Sequence, residues 1–260
     1  MKRLIGILAS FLLLIGLNSC EDLFQYSPYD ADVSETNLNA RNIDKIAPHN
    51  PSDTLWFVAL ADVHAWYDEL YDATLKINQL KNISFVVVCG DITDEGLAKE
   101  FEWYNRVMEN LKVPYLTIIG NHDYRSNGSV IYKKMFGPTN FTFNIGAYHF
   151  IGFDDVVWEN NNTMPDFNWL NSNVLDTTSV VEVVFAHIPP WTDQLDLDTT
   201  EINALLTKKP NHVLSVHGHL HGYSYNYIQV HHIITGCVKD REMCLIGLHD
   251  TTFTFHRIKF

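Results

Sequence analysis

The chain has 260 residues, of which 46% are hydrophobic, and its formal net charge is -13. This composition is ordinary for a globular protein, and one large domain fits the length because α/β folds often exceed about 200 residues as one unit. No Lys/Arg cluster follows residue 3. Proteins that bind duplex nucleic acid neutralise its phosphates with basic residues, so the charge disfavours duplex DNA or RNA as a partner. A small phosphorylated substrate held by metal ions remains compatible with an acidic chain.

The first twenty residues have the pattern of an export signal. Basic residues at positions 2 and 3 precede the apolar run Leu4–Leu17. A membrane-spanning helix needs about 20 residues, so the run is too short for one, but it suits a secretory signal. It ends in Leu-Asn-Ser-Cys at positions 17–20, which resembles the lipobox of a bacterial lipoprotein. The resemblance implies a signal at residues 1–19 and a lipidated Cys20, which would anchor the domain at the periplasmic or surface face of a membrane of the cell envelope. A plain signal peptide or a membrane anchor is the alternative.

Residues 20–52 are polar and weakly periodic, which indicates a tether that partly packs onto a domain at residues 53–260. Three further cysteines lie in that domain. Cys89 is inside an apolar run and is expected in the core. Cys237 and Cys244 are close in sequence, and they either pair in an oxidising compartment or stay unpaired.

The first half of the domain alternates strands and helices. Strands are predicted at 54–61, 84–90 and 115–120, and amphipathic helices at 67–80 and 98–111. This alternation is typical of a parallel sheet with crossover helices. In the second half, strands are predicted at 141–144, 148–153, 180–186, 212–216, 230–235, 243–248 and 251–259, with a helix at 200–206. We therefore expect an α/β (α+β) fold of two mixed sheets packed face to face, with helices outside.

Five short motifs, each placed where a predicted strand ends, supply Asp, Asn and His side chains. They are Asp62-Val63-His64, Gly90-Asp91, Gly120-Asn121-His122-Asp123, His187 and Gly218-His219-Leu220-His221. In open α/β sheets, ligands bind beyond the carboxyl ends of the strands, and oxygen and imidazole ligands suit borderline divalent metals. Residues two apart on an extended segment face the same way, so the paired ligands predict a pocket for two cations. The glycines are expected to allow sharp turns, some with positive φ.

Together these motifs resemble the full signature of calcineurin-like metallophosphoesterases. The resemblance runs from residue 62 to residue 221 and implies a four-layer αββα sandwich. Carried over by position, it implies that the first metal is held by Asp62, His64 and His221. It implies that Asn121, His187 and His219 hold the second metal, and that Asp91 bridges the two. The implied cofactors are two divalent ions drawn from Mn, Fe, Zn, Co and Ni.

In the same resemblance, His122 is not a metal ligand. It lies beside the substrate phosphate, where it stabilises charge or protonates the leaving oxygen, and Asp123 orients its ring. His217 precedes the last motif and is expected to be structural. His231 and His232 match no ligand position and are expected to be surface or core residues.

Other residues near the motifs have two possible roles. Trp66, Tyr124 and Trp191 follow metal motifs closely, so they either line the pocket and stack on a substrate ring or pack in the core. Asp94 and Glu95 follow Asp91, and a solvated loop is the simpler expectation for them.

Two departures from the family narrow the expected substrate. Family protein Ser/Thr phosphatases carry an arginine shortly after the Gly-Asp motif, whereas residues 92–96 of this chain are acidic and lack arginine. Purple acid phosphatases place a tyrosine ligand three residues after the aspartate, where this chain has Asp94. The remaining similarity is to the bacterial phosphodiesterase branch. Without an arginine to neutralise the extra charge, a diester is favoured over a monoester dianion.

The sequence therefore predicts an exported, two-metal phosphoester hydrolase that acts on small phosphodiesters or nucleotides through a metal-bridging hydroxide. Two alternatives remain open. One is a phosphomonoesterase that uses the same site. The other is an envelope lipoprotein that binds a phosphorylated ligand without hydrolysing it, which the intact His122-Asp123 pair disfavours.

Overall fold

Two β-sheets form the centre of the molecule. A computed structural model describes residues 30–174, 181–192, 206 and 212–260. The strands in these ranges are β1 Leu55–Leu60, β2 Ile83–Cys89, β3 Tyr115–Ile118, β4 Phe141–Ile145, β5 Tyr148–Gly152, β6 Val181–Phe185, β7 His212–His217, β8 Ser224–Ile228, β9 Val230–Ile234, β10 Glu242–His249 and β11 Thr252–Lys259.

Both sheets are mixed. The five-stranded sheet has the order β11-β10-β1-β2-β3, in which β1, β2 and β3 are parallel and β10 joins β1 in antiparallel register. The six-stranded sheet has the order β4-β5-β6-β7-β9-β8, in which β5, β6, β7 and β9 are parallel. The carboxyl ends of the neighbouring parallel strands therefore lie at one edge of each sheet, where ligands bind in such folds.

An aromatic core joins the two sheets. Side chains alternate along each strand, so Phe57 of β1 faces the space between the sheets, whereas Val58 faces the outer side. Phe57 stacks on Phe85 of β2 at a centroid distance of 5.0 Å. It also meets Phe150 and Phe185 of the second sheet edge to face, at 6.0 and 5.7 Å. These contacts pack the facing sides of the two sheets against each other.

Helices cover the outer faces of the sheets. The described α-helices are α1 Leu38–Ile43, α2 Tyr67–Ile77, α3 Ala98–Met108, α4 Gly128–Met135 and α5 Phe167–Asn173. Leu70 of α2 and Phe101 of α3 pack in one cluster with the outer residues of β1 and β2, and Leu170 of α5 lies in the same cluster as Val184 of β6. The predicted αββα arrangement is confirmed.

Helix α1, which the sequence analysis does not predict, covers the free edge of β3. The Asn39 side chain donates to the Thr117 carbonyl and accepts from the Thr117 amide, each at 2.9 Å. Asn42 donates to the Tyr115 carbonyl at 2.8 Å. These amides take the place of a neighbouring strand, because an exposed sheet edge offers unpaired backbone groups. Part of residues 20–52 thus packs against the first sheet.

Most predicted elements lie within one or two residues of the observed ones. The elements that the sequence analysis missed are α1, α4, α5 and β8, together with short 3-10 turns at His122–Tyr124 and Val238–Asp240. The predicted helix at 200–206 lies outside the described residues apart from Leu206, which is buried.

The predicted export signal and Cys20 also lie outside the described residues. Within the described ranges, no helix is long and apolar enough to cross a membrane. Cys89, Cys237 and Cys244 are all buried and all free, so Cys237 and Cys244 are not paired in the structure. The Cys237 thiol instead donates to the Asp62 carbonyl at 3.2 Å.

Candidate metal centre and active site

The predicted ligand residues meet where the two sheets face each other. From the first sheet, Asp62 and His64 follow β1, Asp91 follows β2 and Asn121 follows β3; from the second, His187 follows β6, and His219 and His221 follow β7. The burial of these side chains is uneven. His187 is fully buried, whereas the His221 side chain is 55% exposed. The site therefore has a closed inner end and an open outer end.

Most of the ligand loops have an unusual backbone conformation. Five of the seven ligand residues have left-handed φ values, which are 55° for Asp62, 47° for His64, 52° for Asp91, 68° for His219 and 58° for His221. Such values are uncommon for residues other than glycine and cluster at functional sites. They turn each side chain off the strand end into the cleft. The sequence analysis assigned this property to the preceding glycines.

The glycines have a different role at two of the three positions. Gly90 has a φ of 84°, as expected, but Gly120 and Gly218 are not among the positive-φ residues. They are needed for close approach. A Cβ at Gly120 would collide with the backbone and carboxylate of Asp91, and one at Gly218 would lie 2.5 Å from the Ala61 Cβ. The expected positive φ therefore occurs at Gly90, whereas Gly120 and Gly218 are required by the limited space around them.

One cluster of possible ligand atoms combines Asp62, His64 and His221, and the donor atoms lie within 4.8 Å of one another. The Nε2 atom of His221 is 3.7 Å from Asp62 Oδ1, and the His64 and His221 rings are 5.5 Å apart. The Asp62 Oδ1 atom also accepts the His219 amide at 3.1 Å. This hydrogen bond joins the two sheets directly at the first predicted metal position.

A second cluster combines Asp91, His187 and His219. The side-chain oxygen of Asn121 lies within reach of both imidazoles, 3.1 Å from His187 Nε2 and 3.2 Å from His219 Nδ1. The structure thus brings together the four residues that the resemblance assigned to the second metal position.

Asp91 lies between the two clusters. Its Oδ1 atom accepts the His122 amide at 2.8 Å, which holds the carboxylate in one orientation. Its Oδ2 atom is 3.3 Å from His187 Nε2 and 3.8 Å from His64 Nε2, so one oxygen faces a nitrogen ligand of each cluster. This is the geometry expected of a carboxylate shared by two cations.

The ligands are oriented by neighbouring polar groups. The His187 Nδ1 atom lies 2.8 Å from the Cys89 carbonyl, so Nδ1 carries the hydrogen and Nε2 is left to bind a metal. The Asn121 amide donates to Glu159 Oε1 at 2.9 Å, which turns its oxygen toward the imidazoles. Asp155, which is buried, accepts the His187 and Ile188 amides at 3.3 and 3.0 Å. The sequence analysis identified neither Glu159 nor Asp155.

The donor set fits divalent cations. Among the described residues, Asp62 Oδ2 and both ring nitrogens of His64 are buried without a hydrogen-bond partner. Buried polar atoms without partners are costly, so they indicate a missing partner. Burial raises the pKa of Asp62 to about 7 and lowers the pKa of His64, because without a cation both charged forms are poorly solvated. A divalent ion at this position would satisfy Asp62 Oδ2 and one of the two His64 nitrogens together.

Charge in the second cluster is balanced differently. Burial opposes ionisation of Asp91 and His187, but their mutual attraction dominates and lowers the pKa of Asp91 while it raises the pKa of His187 to about 10. Burial lowers the pKa of His219 to about 4. The proton on His187 supplies the positive charge that the carboxylate requires, and metal binding would release it.

His122 lies beside the first cluster, with its ring 4.5 Å from the His64 ring. Its Nδ1 atom is 2.9 Å from the Asp94 carbonyl and 3.4 Å from Asp94 Oδ1. The prediction that Asp123 orients this ring is wrong, because Asp94 does so. The Asp123 carboxylate instead accepts the Gly120 amide and the Thr93 amide, each at 2.9 Å.

Asp123 therefore holds two ligand loops together. It is fully buried, its carboxylate also accepts the Thr93 hydroxyl at 2.7 Å, and burial raises its pKa to about 7. These bonds tie the loop after β3 to the loop after β2, which contains Asp91. Asp123 positions the ligand loops and does not touch His122's ring.

The segment after Asp91 is more than a solvated loop. The Oδ1 atom of Asp94 is 3.3 Å from His64 Nδ1, which leaves His64 Nε2 facing Asp91. The Asp94 side chain is 48% exposed, so Asp94 lies on a solvated loop and also contacts the site. Glu95, by contrast, is exposed, and its Oε1 atom contacts Arg125 at 3.4 Å.

The three aromatic residues near the motifs differ in their surroundings. Tyr124 is buried and donates to Asp154 at 2.5 Å, so it packs. Trp191 packs edge to face on the buried His232 ring at 5.0 Å. Trp66 is 38% exposed, with Lys239 Nζ 5.0 Å above its ring. Of the three, Trp66 is the one with an exposed side chain.

The remaining histidines that the sequence analysis set aside lie outside the ligand clusters. His217 Nε2 is 3.1 Å from His232 Nδ1 in the interior of the second sheet. His231 lies beside Tyr225 on the surface at 2.7 Å.

A family model described as calcineurin-like phosphoesterase matches residues 55–223. A protein of Xenorhabdus bovienii named as a probable cyclic nucleotide phosphodiesterase is 28% identical over 103 residues, which are 38% of this chain and 42% of that protein. A protein of Arcobacter nitrofigilis named as a probable glycerophosphodiester phosphodiesterase is 39% identical over 67 residues, which are 25% of this chain and 23% of that protein. The matched segments thus span less than half of these relatives.

Solved structures share the fold. A dimetal phosphatase from Danio rerio aligns with a TM-score of 0.61 at 13% identity, covering 81% of this chain and 100% of that chain. A purple acid phosphatase from yellow lupin aligns with a TM-score of 0.62 at 12% identity, covering 82% of this chain and 52% of that chain. At these identities the likeness shows the fold alone.

Proposed function

We propose that this chain uses two metal ions and acts on small phosphodiesters or nucleotides. The chain belongs to the calcineurin-like phosphoesterase family and is a divalent-metal-dependent hydrolase of phosphoester bonds. The observation that carries the proposal is the position of Asp91. One of its oxygens lies 3.3 Å from His187 Nε2 and 3.8 Å from His64 Nε2, between two sets of nitrogen and oxygen ligands. A single metal would leave one of the two sets unused.

The residues would hold the two ions as the resemblance implies. Asp62, His64 and His221 would bind one ion, Asn121, His187 and His219 the other, and Asp91 both. A mixed set of carboxylate, amide and imidazole ligands accepts Mn, Fe, Zn, Co or Ni. When bound, the ions lower the pKa of a water molecule and neutralise charge that develops on the phosphoryl oxygens.

The protein's own groups orient the substrate and move a proton. The Nδ1 atom of His122 is held by the Asp94 carbonyl at 2.9 Å, so Nε2 is the ring atom that faces the ester. After Nε2 takes up a proton from solvent, it would pass that proton to the leaving oxygen, as a positioned histidine does near neutral pH. Asp123 and Asp94 keep the two loops of this side of the site in place.

Preference for diesters is supported by the relatives, both of which are named as phosphodiesterases. A second candidate, a phosphomonoesterase, is favoured by one structural feature. The Arg125 guanidinium lies 3.2 Å from His122 Nε2, so a positive charge is present at the site although residues 92–96 lack arginine. The absence of arginine after Asp91 therefore does not exclude a monoester dianion.

Hydrolysis of two model esters tests the proposal. Purified protein loaded with manganese should hydrolyse bis(p-nitrophenyl) phosphate faster than p-nitrophenyl phosphate, and metal analysis should show bound divalent ions. The reverse preference would select the phosphomonoesterase. Bound metal without turnover of either ester would select the binding protein.

The N-terminal sequence supports a second part of the proposal, namely attachment to the bacterial cell envelope through a lipid on Cys20. The full-length chain expressed in a bacterium should incorporate radiolabelled palmitate and fractionate with membranes, while Cys20→Ser should do neither. Labelling of the Cys20→Ser variant, or a wild-type chain without label, would contradict the attachment.

A further inference from the structure

A basic side chain reaches the site from the loop after β3. Arg125 follows the 3-10 turn after β3, and its backbone is fixed by close packing against the loop after β2. A Cβ at Gly96 would collide with the Arg125 carbonyl, and the same carbonyl accepts the Gly128 amide at 2.8 Å. The loops after β2 and β3 therefore hold each other in place, which fixes the backbone from which the Arg125 side chain extends.

The guanidinium is oriented by three contacts. One terminal nitrogen donates to the Asp94 carbonyl at 3.0 Å and to Glu95 Oε1 at 3.4 Å, and the other lies 3.2 Å from His122 Nε2. Arginine can only donate, so His122 Nε2 is the acceptor and Nδ1 carries the hydrogen that goes to Asp94. This arrangement keeps the guanidinium next to the ring that borders the first metal cluster.

Part of the guanidinium is left for a ligand. It has five N–H donors, of which the three contacts use three. Within the described part of the chain, the Nε–H and one terminal N–H have no acceptor. A structural ion pair with Glu95 does not explain this placement, because the two side chains are 36% and 59% exposed, and such surface pairs stabilise little.

The surroundings of the guanidinium are strongly acidic. Five carboxylates lie in or beside the site, and they belong to Asp62, Asp91, Asp94, Asp123 and Glu159. A substrate phosphate must approach these groups, and the metal ions offset only part of their charge. A planar guanidinium matches two phosphate oxygens at once, which an ammonium cannot do.

We propose that Arg125 is a specificity-determining residue that binds the non-bridging oxygens of the substrate phosphate and allows the site to accept a monoester dianion as well as a diester. The inference rests on the proposed phosphoester hydrolysis and names the residue that sets its substrate range. When phosphate binds, Arg125 exchanges His122 Nε2 for the phosphate oxygens, which frees Nε2 to face the leaving group.

Binding of inorganic phosphate tests the inference apart from catalysis. Calorimetry on the manganese-loaded protein should give a Kd about 10–100-fold weaker for Arg125→Met than for the wild type, the loss expected of a charged hydrogen bond. Arg125→Lys should fall between them because it keeps the charge without the paired donors. Arg106→Met, which changes an exposed arginine of α3, is the matched control and should bind phosphate like the wild type.

Kinetics complete the test. Arg125→Met should raise KM for p-nitrophenyl phosphate more than KM for bis(p-nitrophenyl) phosphate, with a smaller change in kcat and no change in metal content. A phosphate Kd within twofold of wild type, equal losses on both esters, or loss of bound metal would overturn the inference. If the wild type hydrolyses neither ester, the proposed function fails, while the phosphate Kd values still report on Arg125.

Discussion

The two sheets contribute different chemistry to the same site. The loops of the five-stranded sheet supply both carboxylates of the proposed ligand set, Asp62 and Asp91, together with His64 and Asn121. The six-stranded sheet supplies imidazoles alone, from His187, His219 and His221. Both carboxylates of the proposed set therefore come from one sheet, and the site lies where the two sheets meet.

Hydrogen bonds across the sheets show how this division is maintained. His187 of the second sheet is oriented by the Cys89 carbonyl of β2, and the His219 amide is bound by Asp62. In the other direction, Glu159 from the loop after β5 orients Asn121. Each sheet thus orients residues of the proposed ligand set on the other sheet. Because the two sheets contribute different groups, we expect loss of a carboxylate from the first sheet to have a different effect from loss of an imidazole from the second.

The largest difference in bound metal and activity is expected between variants of Asp91 and of His219. Asp91→Asn keeps a side chain that can accept the His122 amide but removes the shared charge, so both ions should be lost, and activity should fall about 10³-fold or more because metal stabilisation is worth several kcal/mol. His219→Ala removes one neutral ligand, so about one ion should remain. Metal analysis by mass spectrometry after desalting measures both. Equal metal content in the two variants would show that Asp91 and His219 do not differ in their contribution to metal binding.

The contact between the sheets is tested next. Phe150 of the second sheet is fully buried and meets Phe57 and Phe85 of the first sheet edge to face, at 6.0 and 5.4 Å. Phe150→Ala should lower the free energy of unfolding by about 3–5 kcal/mol, as for other large core truncations. Tyr227→Ala, at a residue that is 65% exposed, is the control and should change it by less than about 0.5 kcal/mol. Urea denaturation of the metal-free protein measures both, and similar small losses would mean that the aromatic core does not set sheet packing.

A smaller effect should follow from the Glu159 contact. Glu159→Ala leaves the Asn121 amide free to rotate, and removal of such an orienting partner typically weakens metal binding by about 10–100-fold. Glu159→Gln retains an oxygen that can accept from Asn121 and should lose much less. Titration with manganese monitored by calorimetry distinguishes them. If both variants bind as wild type, orientation across the sheets does not matter for affinity.

The smallest expected effect is on the pH dependence of stability, and it involves a residue of the second sheet alone. Burial lowers the pKa of His232 to about 4 from its ordinary 6.5. The unfolded state binds the extra proton below pH 6.5, so the stability that neutral His232 contributes is complete above that pH and is lost as pH falls toward 4. Relative to His232→Gln, the metal-free wild type should lose about 2 kcal/mol more between pH 7.5 and 5. Parallel pH dependence in the two proteins would show that His232 does not stay neutral.

The strands, and the motif residues that directly follow them, were predictable because they form strong local patterns. The runs that became β1, β2 and β3 are continuous and apolar, and the five ligand motifs directly follow strands. Strand β8 was missed because Ser224–Ile228 is exposed and alternates with polar residues at a sheet edge. Helix α4 was missed because it is short and begins with a glycine, a poor helix former.

The residues that orient the ligands were not predictable in the same way. Asp94, Arg125 and Glu159 lie in loops, where no periodicity places a side chain. Their partners depend on how loops from separate strands approach one another, as Gly96 and Arg125 do. Residues 92–96 do lack arginine. The preference for diesters that was inferred from this absence did not take into account Arg125, which lies in the loop after β3.

The number of bound ions shows whether Asp91 joins two metal positions, on which the division between the sheets depends. Manganese titrated by calorimetry into metal-free wild-type protein should saturate at two ions per chain. Saturation at one ion, or no binding, would contradict the account.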